Sequence, residues 1–404
     1  MPPSHVARNL RLLQAFWFLR EAQLWIPVWV VFLTLERGFS YTEVLGAEAL
    51  YLVAIVFLEV PTGAVADRWG RSRSLGAGAF CLGLAVLIFA WADTFTVLMV
   101  SFMLWSLAHT LMSGADMALL FDTLREAGRE SEFEVAAGRA FSLIWAGVAV
   151  ATIAGGPVAD WVSAETTIYV GAVTCAITAG LALLIKEPPH RRDAEPEPYF
   201  QGIRAAFREV NASAELRAIV LLAGIAGAAV GGMFYLIQPY LIDRGVEVGI
   251  WFSWLQVPVL AAGIVGGLFA GRVANAQGMR MLTLLPLAGA VGLVLTGAAP
   301  GLIGFAVLPL VAVIQSIFEP IANGAINRRT GSERRATVLS IMGMTMSFAM
   351  ACVALSIGWL ADNPGVTWGF YLCAAVAVAA VLLIGLPAAA SRARTATAGA
   401  VSSP

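Results

Sequence analysis

Long apolar runs dominate this sequence and constrain its fold more than any other feature. A membrane-spanning helix needs about 20 mostly apolar residues, and twelve runs of this kind can be counted along the chain. They lie at 12–35, 44–66, 74–92, 96–121, 138–160, 167–186, 217–241, 249–271, 279–297, 301–326, 336–360 and 367–388. The sequence therefore predicts an all-α membrane protein with twelve transmembrane helices.

Composition narrows the possible functions. The chain is 59% hydrophobic and 13% charged, whereas soluble proteins average about 25% charged residues. A net charge of −1 offers no positive field of the kind that nucleic acid requires, so nucleic acid is not an expected partner. The four cysteines lie inside apolar runs at spacings that suit neither a metal cage nor a disulfide framework. The first run contains Arg20 and Glu21, so no cleavable signal peptide is expected.

Basic residues alternate from loop to loop. Of the 25 basic residues, 22 fall at the N-terminus, in the even-numbered loops or at the C-terminus. Arg37 and Arg244 lie in opposite-side loops, and Arg20 lies within a span. Because basic loops remain on the cytoplasmic side, we expect a multi-pass protein of the inner (cytoplasmic) cell membrane with both termini in the cytoplasm.

One long polar interruption divides the chain. Proline and charge mark it as a linker between two halves, and the halves have six predicted spans each. The predicted parts are an N-terminal six-helix bundle at 1–186, a cytoplasmic linker at 187–216, a C-terminal six-helix bundle at 217–390 and a disordered cytoplasmic tail at 391–404.

The linker contains a short amphipathic pattern. Phe200, Ile203, Phe207 and Val210 recur at helical spacing, which suits a helix on the inner membrane surface. A solvated connector is an equally good interpretation.

A repeated pentapeptide, Gly-x-x-Ala-Asp, indicates internal symmetry. It occurs at Gly63–Asp67, Gly156–Asp160 and Gly358–Asp362, at the ends of predicted helices 2, 5 and 11. Helix 8 has the related stretch GLFAGR at Gly267–Arg272, which begins 204 residues after Gly63. Equivalent positions in helices 2, 5, 8 and 11 predict that each half consists of inverted three-helix repeats.

The stretch GxxxDRxGRxR that begins at Gly63 resembles the loop signature of the major facilitator superfamily. This resemblance implies a transporter with two six-helix bundles whose helices 1, 4, 7 and 10 line a central cavity. Two features depart from proton-coupled drug antiporters: Thr110 replaces a frequent arginine, and helix 5 has only GGP at Gly155–Pro157. Phrases similar to those of bacterial small-molecule and drug efflux members are EVPTGAVADRWGR, SGADMALLFDTL, IQPYL and ERRATVLSI.

The signature loop also predicts a cytoplasmic latch that stabilises the outward-open state. Asp67 is expected beside the N-terminus of helix 3, where free amides favour an anion, and the loop arginines can reach acidic groups at neighbouring helix ends. Gly63 would let helix 2 approach helix 11 near Ser340 and Gly343. Alternatively, the arginines only enforce topology. The latch residues are Gly63, Asp67, Arg68, Gly70, Arg71, Arg73 and Asp122.

Charged residues inside the spans predict a site of proton coupling. An ionisable group in the bilayer costs about 2.5–3.5 kcal/mol on insertion scales, so it faces water or a partner. Glu21 is the first candidate, with permanent pairing to Arg20 as the alternative. Helical spacing places it on one face of helix 1 with Gln14, Phe18 and Trp25. Asp116 and His109 share a face of helix 4, and histidine changes its charge near neutral pH, although a packing role is the alternative for His109. Glu319 occupies the matching position in the other half.

Polar and aromatic residues on the same helices predict the substrate cavity. Glu48 and Glu59 on helix 2 are instead expected to form gating or structural pairs. The cavity candidates are Gln14, Trp17, Phe18, Trp25, Ser113, Phe234, Tyr235, Gln238, Gln315 and Asn323.

Motifs for other chemistries are missing from the sequence. It has no GxxxxGK[ST] phosphate loop, HExxH or GxSxG, so neither ATP, a cofactor nor enzymatic catalysis is expected. The leading hypothesis is a monomeric secondary active transporter that exports an amphipathic small molecule by proton-coupled alternating access. An uptake symporter or facilitator would use the same carboxylates. A membrane sensor or lipid-handling protein that moves no solute is the alternative of another class, favoured by Gly271 and Thr110.

Overall fold

A computed structural model describes residues 4–188, 199–277, 280–331 and 334–388. The regular elements within these ranges are all helical. The tail predicted at 391–404 lies outside the described residues. The helices are α1 (Ser4–Glu21), α2 (Trp29–Val31), α3 (Tyr41–Trp69), α4 (Arg71–Ala90), α5 (Phe95–Met112), α6 (Ala115–Glu126), α7 (Phe133–Trp161), α8 (Ala164–Leu183), α9 (Tyr199–Ala212), α10 (Ala214–Gly231), α11 (Met233–Asp243), α12 (Ile250–Trp254), α13 (Val257–Gln277), α14 (Met281–Ala298), α15 (Leu308–Asn327), α16 (Arg335–Asp362) and α17 (Thr367–Ala380), with π-helical turns at Phe32–Glu36 and Val381–Gly385 and 3-10 turns at Glu130–Glu132 and Gly304–Val307.

Within the described ranges, eleven helices are long and apolar enough to cross a membrane. The first of them is Tyr41–Glu59 and the last is Thr367–Ala388. The run predicted at 12–35 is not among them, because α1 ends at Glu21 and α2 begins only at Trp29. The chain is therefore an all-helical, multi-pass membrane protein, and the count of twelve spans remains a prediction.

The chain divides into two compact units. Unit 1 comprises Met1–Glu195 and Gly245–Val257, and unit 2 comprises Pro196–Arg244 and Pro258–Pro404. The segment Gly245–Val257 belongs to unit 1, whereas the sequence prediction assigned it to the C-terminal half.

The glycine of the second pentapeptide explains why this segment belongs to unit 1. Gly156 of α7 lies against α12, where a Cβ on Gly156 would overlap the side chain of Ser253. The hydroxyl of Ser253 donates a hydrogen bond to the carbonyl oxygen of Thr152. A small residue on α7 thus lets α12 pack closely enough for a side chain to reach the α7 backbone.

Unit 1 is built around α4, which packs between α5 and α8. A Cβ on Gly76 would lie 2.8 Å from Cδ2 of Leu183, and one on Gly78 would lie 2.9 Å from the carbonyl oxygen of Ala108. The hydroxyl of Ser74 donates to the carbonyl oxygen of Leu111 at 2.6 Å. Small residues and backbone-directed hydroxyls therefore hold these helices together, as is common where lipid removes the hydrophobic drive for helix association.

Unit 2 has an apolar core around α10. Tyr240 of α11 is buried, and its hydroxyl donates to the carbonyl oxygen of Gly301 at 2.9 Å. The linker helix α9 joins this core through Val210, and Arg334 pairs with Glu209 at 3.2 Å. Phe207 is exposed. The predicted linker helix is thus present and docks on unit 2, and its position at the membrane surface remains a prediction.

Helices 1 and 4, both predicted as continuous spans that carry site candidates, are interrupted. Helix 1 stops after Glu21, so Trp25 is not on a continuation of the same helical face as Gln14 and Phe18, contrary to the sequence prediction. Helix 4 breaks between α5 and α6, so His109 and Asp116 lie on different helices. Pro27 supplies no amide donor for a continuous helix 1, and Gly114 has φ of 73°, which other residues rarely adopt.

Candidate functional site

The interrupted helices of unit 1 surround a cavity of about 490 Å³. This volume lies in the range of small-molecule sites, about 300–1,000 Å³. Four of the predicted residues with ionisable or hydroxyl side chains line it: Glu21, His109, Ser113 and Asp116. Trp25 also contributes to its wall. The structure therefore brings together five of the candidates that the sequence placed on helices 1 and 4, and three others from helix 1 do not line this cavity.

Side-chain and glycine contacts hold the break in helix 1. The amide of Gln23 donates to the carbonyl oxygens of Leu19 at 3.3 Å and Arg20 at 3.2 Å, which satisfies free groups at the end of α1. A Cβ on Gly147 of α7 would overlap the carbonyl oxygen of Phe18 and lie 3.1 Å from Cβ of Glu21. The end of α1 thus lies directly on α7, and this contact positions Glu21.

A tight turn places Asp116 at the start of α6. Gly114 makes the turn with its positive φ, and Asp116 lies in the first turn of the helix. One carboxylate oxygen, Oδ1, accepts from the backbone amide of Met117 at 2.7 Å. Free amides and the helix dipole at a helix N-terminus attract acceptor groups, so the start of α6 orients the carboxylate of Asp116.

Arg20 connects the two carboxylates of the cavity. Its Nε donates to Oε1 of Glu21 at 2.8 Å, and its Nη1 donates to Oδ2 of Asp116 at 3.3 Å. The side chain of Glu21 is 29% exposed and that of Asp116 is 8% exposed. Glu21 is therefore the more accessible of the two carboxylates.

Trp17 contacts this ionic group from the protein interior. It is 1% exposed, and its indole nitrogen donates to Oδ2 of Asp116 at 3.0 Å. The sequence predicted that Trp17 lines the substrate cavity. The structure corrects this prediction, because the indole is buried in the packing of α1 and holds a carboxylate.

Aromatic side chains form another wall of the cavity. The rings of Trp25 and Trp105 meet edge to face with centroids 4.9 Å apart, and Tyr51 lies 6.1 Å from Trp105. The hydroxyl of Tyr51 is 3.2 Å from Nδ1 of His109. Sequence reasoning missed Tyr51 and Trp105. Trp105 precedes His109 by four residues, so helical spacing could have identified it.

Two of the predicted cavity residues line a different cavity of unit 1. Gln14 and Phe18 face a space of about 530 Å³ together with Arg139 and Ser142 of α7. Gln14 and Phe18 are therefore not among the residues that line the cavity around Arg20.

The candidates of unit 2 lie on α11 and α15. Glu319 is exposed on α15. The amide nitrogen of Gln315 donates to the carbonyl oxygen of Gly227 at 3.2 Å. The side-chain oxygens of Gln315 and Asn323 are buried and accept no hydrogen bond from the residues that the structure describes. This face of α15 is therefore rich in acceptors.

On α11 the three candidates differ in exposure. Phe234 is exposed, Tyr235 is half-buried and Gln238 is buried.

The signature loop joins α3 to α4 through Gly70, which has φ of 101°. Arg71 forms an ion pair with Asp122, and Nη2 of Arg125 donates to the other carboxylate oxygen of Asp122 at 2.9 Å. Gly63, Asp67, Arg68 and Arg73 are exposed. Arg71 and Asp122 both belong to unit 1, so this contact orders the loop within that unit.

The anion at the start of α4 is not the one expected from the sequence. The carboxylate of Glu187 accepts from the backbone amides of Arg71 at 2.8 Å and Ser72 at 3.0 Å. Asp67 was predicted for this position but lies in the last turn of α3. Glu187 follows α8 and is distant in sequence, so only the packing of α8 beside α4 brings it to these amides.

The same end of unit 1 carries two contacts from α1. The side chain of Asn9 exchanges two hydrogen bonds with the backbone of Lys186, at 2.8 and 3.1 Å. His5 lies 2.9 and 3.0 Å from the carboxylate oxygens of Glu126. The first turns of α1 are thereby tied to the ends of α8 and α6.

Apolar helices around a cavity with ionisable side chains are the features of a membrane transport protein. The family model of the Major Facilitator Superfamily matches residues 18–314. The chain belongs to that superfamily, and it is a transporter rather than an enzyme.

Two curated relatives match parts of the chain. The uncharacterized MFS-type transporter YxaM of Bacillus subtilis (strain 168) is 26% identical over 89 residues, which are 22% of this chain and 22% of the relative. The MFS-type transporter ppzB of Metarhizium majus (strain ARSEF 297) is 29% identical over 140 residues, 35% of this chain and 30% of the relative. The matched regions thus span less than a third of either relative.

Solved structures share the fold over nearly the whole chain. The nucleoside transporter NupG superimposes with a TM-score of 0.75 at 15% identity, covering 94% of this chain and 98% of that one. A D-xylose-proton symporter superimposes with a TM-score of 0.70 at 13% identity, covering 94% and 96%. At these identities the likeness concerns the fold alone.

Proposed function

We propose that the protein is a secondary active transporter that exports an amphipathic small molecule in exchange for protons. The observation that carries this proposal is the Glu21–Arg20–Asp116 group at the cavity of unit 1. Ionisable side chains among membrane-spanning helices are costly, and they commonly mark a solute or proton path. A partly exposed carboxylate beside a shared arginine can release a proton when substrate enters and accept one after substrate leaves.

In this proposal the two carboxylates have different roles, and the difference in their contacts supports this. Asp116 is held by the indole of Trp17, the amide of Met117 and Arg20, so in this proposal it stays ionised and orients the guanidinium. Glu21 is more exposed and exchanges the proton. When Glu21 is protonated, the guanidinium shifts its hydrogen bonds toward Asp116. In the same proposal His109, whose Nδ1 lies 3.2 Å from the hydroxyl of Tyr51, would pass protons to and from the cavity.

The candidates of unit 2 have roles in the same proposal. Glu319 would be a second proton-coupling group, and Gln315 and Asn323 would offer acceptors to substrate. Phe234, Tyr235 and Gln238 would contact its apolar and polar parts.

The proposal also includes regulation of access and a place in the cell. The Arg71–Asp122 contact orders the signature loop, which would act as a latch on the cytoplasmic side. The protein would work as a monomer in the inner cell membrane, with both termini in the cytoplasm. This orientation follows from the distribution of basic loops.

A flux assay in proteoliposomes tests the proposal. Vesicles are made acidic inside, and their membrane potential is held at zero with valinomycin and equal potassium concentrations. Three radiolabelled probes of similar ring size are supplied outside: the cation 1-methylquinolinium, the neutral quinoline N-oxide and the anion 1-naphthoate. We expect at least one probe to accumulate above its outside concentration, and nigericin, which collapses the pH gradient, should abolish this accumulation.

Two substitutions and three alternative results of this assay distinguish proton-coupled export from the other candidate functions. Glu21→Gln should abolish gradient-driven accumulation. The control is Glu130→Gln, which makes the same change at an exposed carboxylate and should leave accumulation intact. Entry of a probe that stops at equal concentrations would indicate a facilitator. Binding without flux would favour a sensor or lipid-handling protein. Accumulation that requires an alkaline lumen would indicate symport with protons.

A further inference from the structure

The cavity of unit 1 has an excess of negative charge. Among the described residues that line it, Arg20 is the one arginine or lysine, and it faces the carboxylates of Glu21 and Asp116. His109 adds a positive charge only when it is protonated. One guanidinium cannot neutralise two carboxylates, so the ionised site retains a net charge of about −1 in a poorly solvated environment.

This excess charge is concentrated on Glu21. Asp116 receives an indole N–H and a backbone amide in addition to Arg20. The bond from Arg20 to Glu21 involves Oε1, and the side chain of Glu21 is 29% exposed, against 8% for Asp116. A positively charged group that enters the cavity would therefore meet Glu21 rather than Asp116.

The aromatic wall is also suited to a cation. Trp25 and Trp105 meet at an angle of 86°, so the two indole rings present different surfaces rather than a single stacked face. Tyr51 extends this wall. Aromatic faces attract cations through their quadrupole, and tryptophan does so most strongly.

From the charge count and the aromatic wall, we propose that this cavity binds a monovalent organic cation with a flat apolar body. The charged atom would lie near Glu21, and the apolar body would lie against Trp25 and Trp105. This inference deepens the proposed function, on which it rests for the role of the cavity in transport, by naming the substrate class.

Equilibrium binding in detergent, with no pH gradient, tests the substrate class separately from transport. The purified protein is titrated at one pH with 1-methylquinolinium, quinoline N-oxide and 1-naphthoate, and binding is followed by isothermal titration calorimetry. We expect the cation to bind at least about tenfold more tightly than the neutral probe, since it alone gains the charge interaction with Glu21. Equal affinity for the three probes, or tightest binding of 1-naphthoate, would overturn the inference.

Variants locate the bound cation. Glu21→Gln should weaken 1-methylquinolinium binding by about tenfold or more and leave quinoline N-oxide unchanged; Glu130→Gln is the matched control. Trp105→Leu should also weaken binding of 1-methylquinolinium. If Glu21→Gln does not fold, this variant alone tests whether the cation binds in the cavity. Unchanged cation binding in both folded variants would place the site elsewhere and contradict the proposal.

The two proposals can fail independently. Selective cation binding without gradient-driven flux would remove the transport proposal and leave the substrate class. Gradient-driven accumulation of the neutral or anionic probe without cation selectivity would support the transport proposal and remove the proposed substrate class.

Discussion

The Glu21–Arg20–Asp116 group depends on neighbours that do not themselves carry charge. Asp116 is almost fully buried, and an ionised carboxylate in that environment requires donors to replace water. The amide of Met117 and the indole of Trp17 provide two of them. The packing of α1 therefore supports the contacts by which Arg20 is shared between the two carboxylates.

Trp17→Phe is expected to destabilise the protein. The substitution keeps a ring in the core but removes the N–H that Asp116 accepts, and loss of a hydrogen bond to a charged group costs about 1.5–3 kcal/mol. Fluorescence-detected thermal unfolding in detergent measures the effect. Trp161→Phe is the control, because Trp161 is 76% exposed. Equal unfolding temperatures for the two variants would show that the indole contact contributes nothing.

Two arginines of the signature sequence, Arg71 and Arg73, allow a second comparison of single-residue effects on stability. Arg71→Gln removes the ion pair with Asp122, a buried carboxylate, and should lower stability by about 1–3 kcal/mol. Arg73 lies in the same first turn of α4 as Arg71, but its side chain is exposed, so Arg73→Gln should have little effect. Thermal unfolding of the two variants side by side provides the test, and a larger loss for Arg73→Gln would contradict the assigned contact.

At the scale of helices, the site exists because two spans are interrupted. The end of α1 lies on Gly147 of α7, and Gly114 turns the chain between α5 and α6. Each break frees backbone groups that need partners, and Gln23 and Asp116 supply two of these partners within the helix ends themselves. The interruptions are thus stabilised locally, and they position Glu21 and Asp116.

Gly147→Ala tests the contact between α1 and α7. The added methyl group would overlap the carbonyl oxygen of Phe18, and backbone cannot move aside as a side chain can. Overpacking of this kind costs about 1–3 kcal/mol, so the unfolding temperature should fall. Gly138→Ala on the same helix is the matched control, because a Cβ there meets no described heavy atom within 4 Å. A smaller effect at Gly147 than at Gly138 would refute the contact.

For the whole molecule, the number of spans is decided by residues 12–35. Eleven candidate spans are present in the described residues, and an odd number of crossings would place the termini on opposite sides. If residues 12–35 cross the bilayer despite the break, the number is even and the termini share a side.

Reporter fusions test the resulting topology. We expect green fluorescent protein to be fluorescent, and alkaline phosphatase to be inactive, when either is fused to the N-terminal or the C-terminal end, because basic loops predict cytoplasmic termini. Alkaline phosphatase inserted after Gly245, in a loop predicted outside, should be active. Opposite results at the two ends would reduce the count to an odd number.

The sequence anticipated much of the candidate site but not its geometry. Glu21, His109, Ser113 and Asp116 were predicted from the cost of placing polar groups in a membrane, and they do line one cavity. Trp17 was assigned to the wrong environment, because helical spacing identifies a face and not what that face contacts. Tyr51 was missed, since its place in the cavity depends on how α3 packs beside α5.

The apolar runs and the spacing of charges were sufficient for the class of protein. In a bilayer the protein itself must satisfy every backbone polar group, and continuous apolar runs of about 20 residues achieve this as helices. Tertiary structure decided three further features. It determined where helices 1 and 4 break and which two carboxylates share Arg20. It also brought Glu187, rather than Asp67, to the start of α4. These features depend on contacts between residues far apart in the chain, and periodicity within one helix contains no information about them.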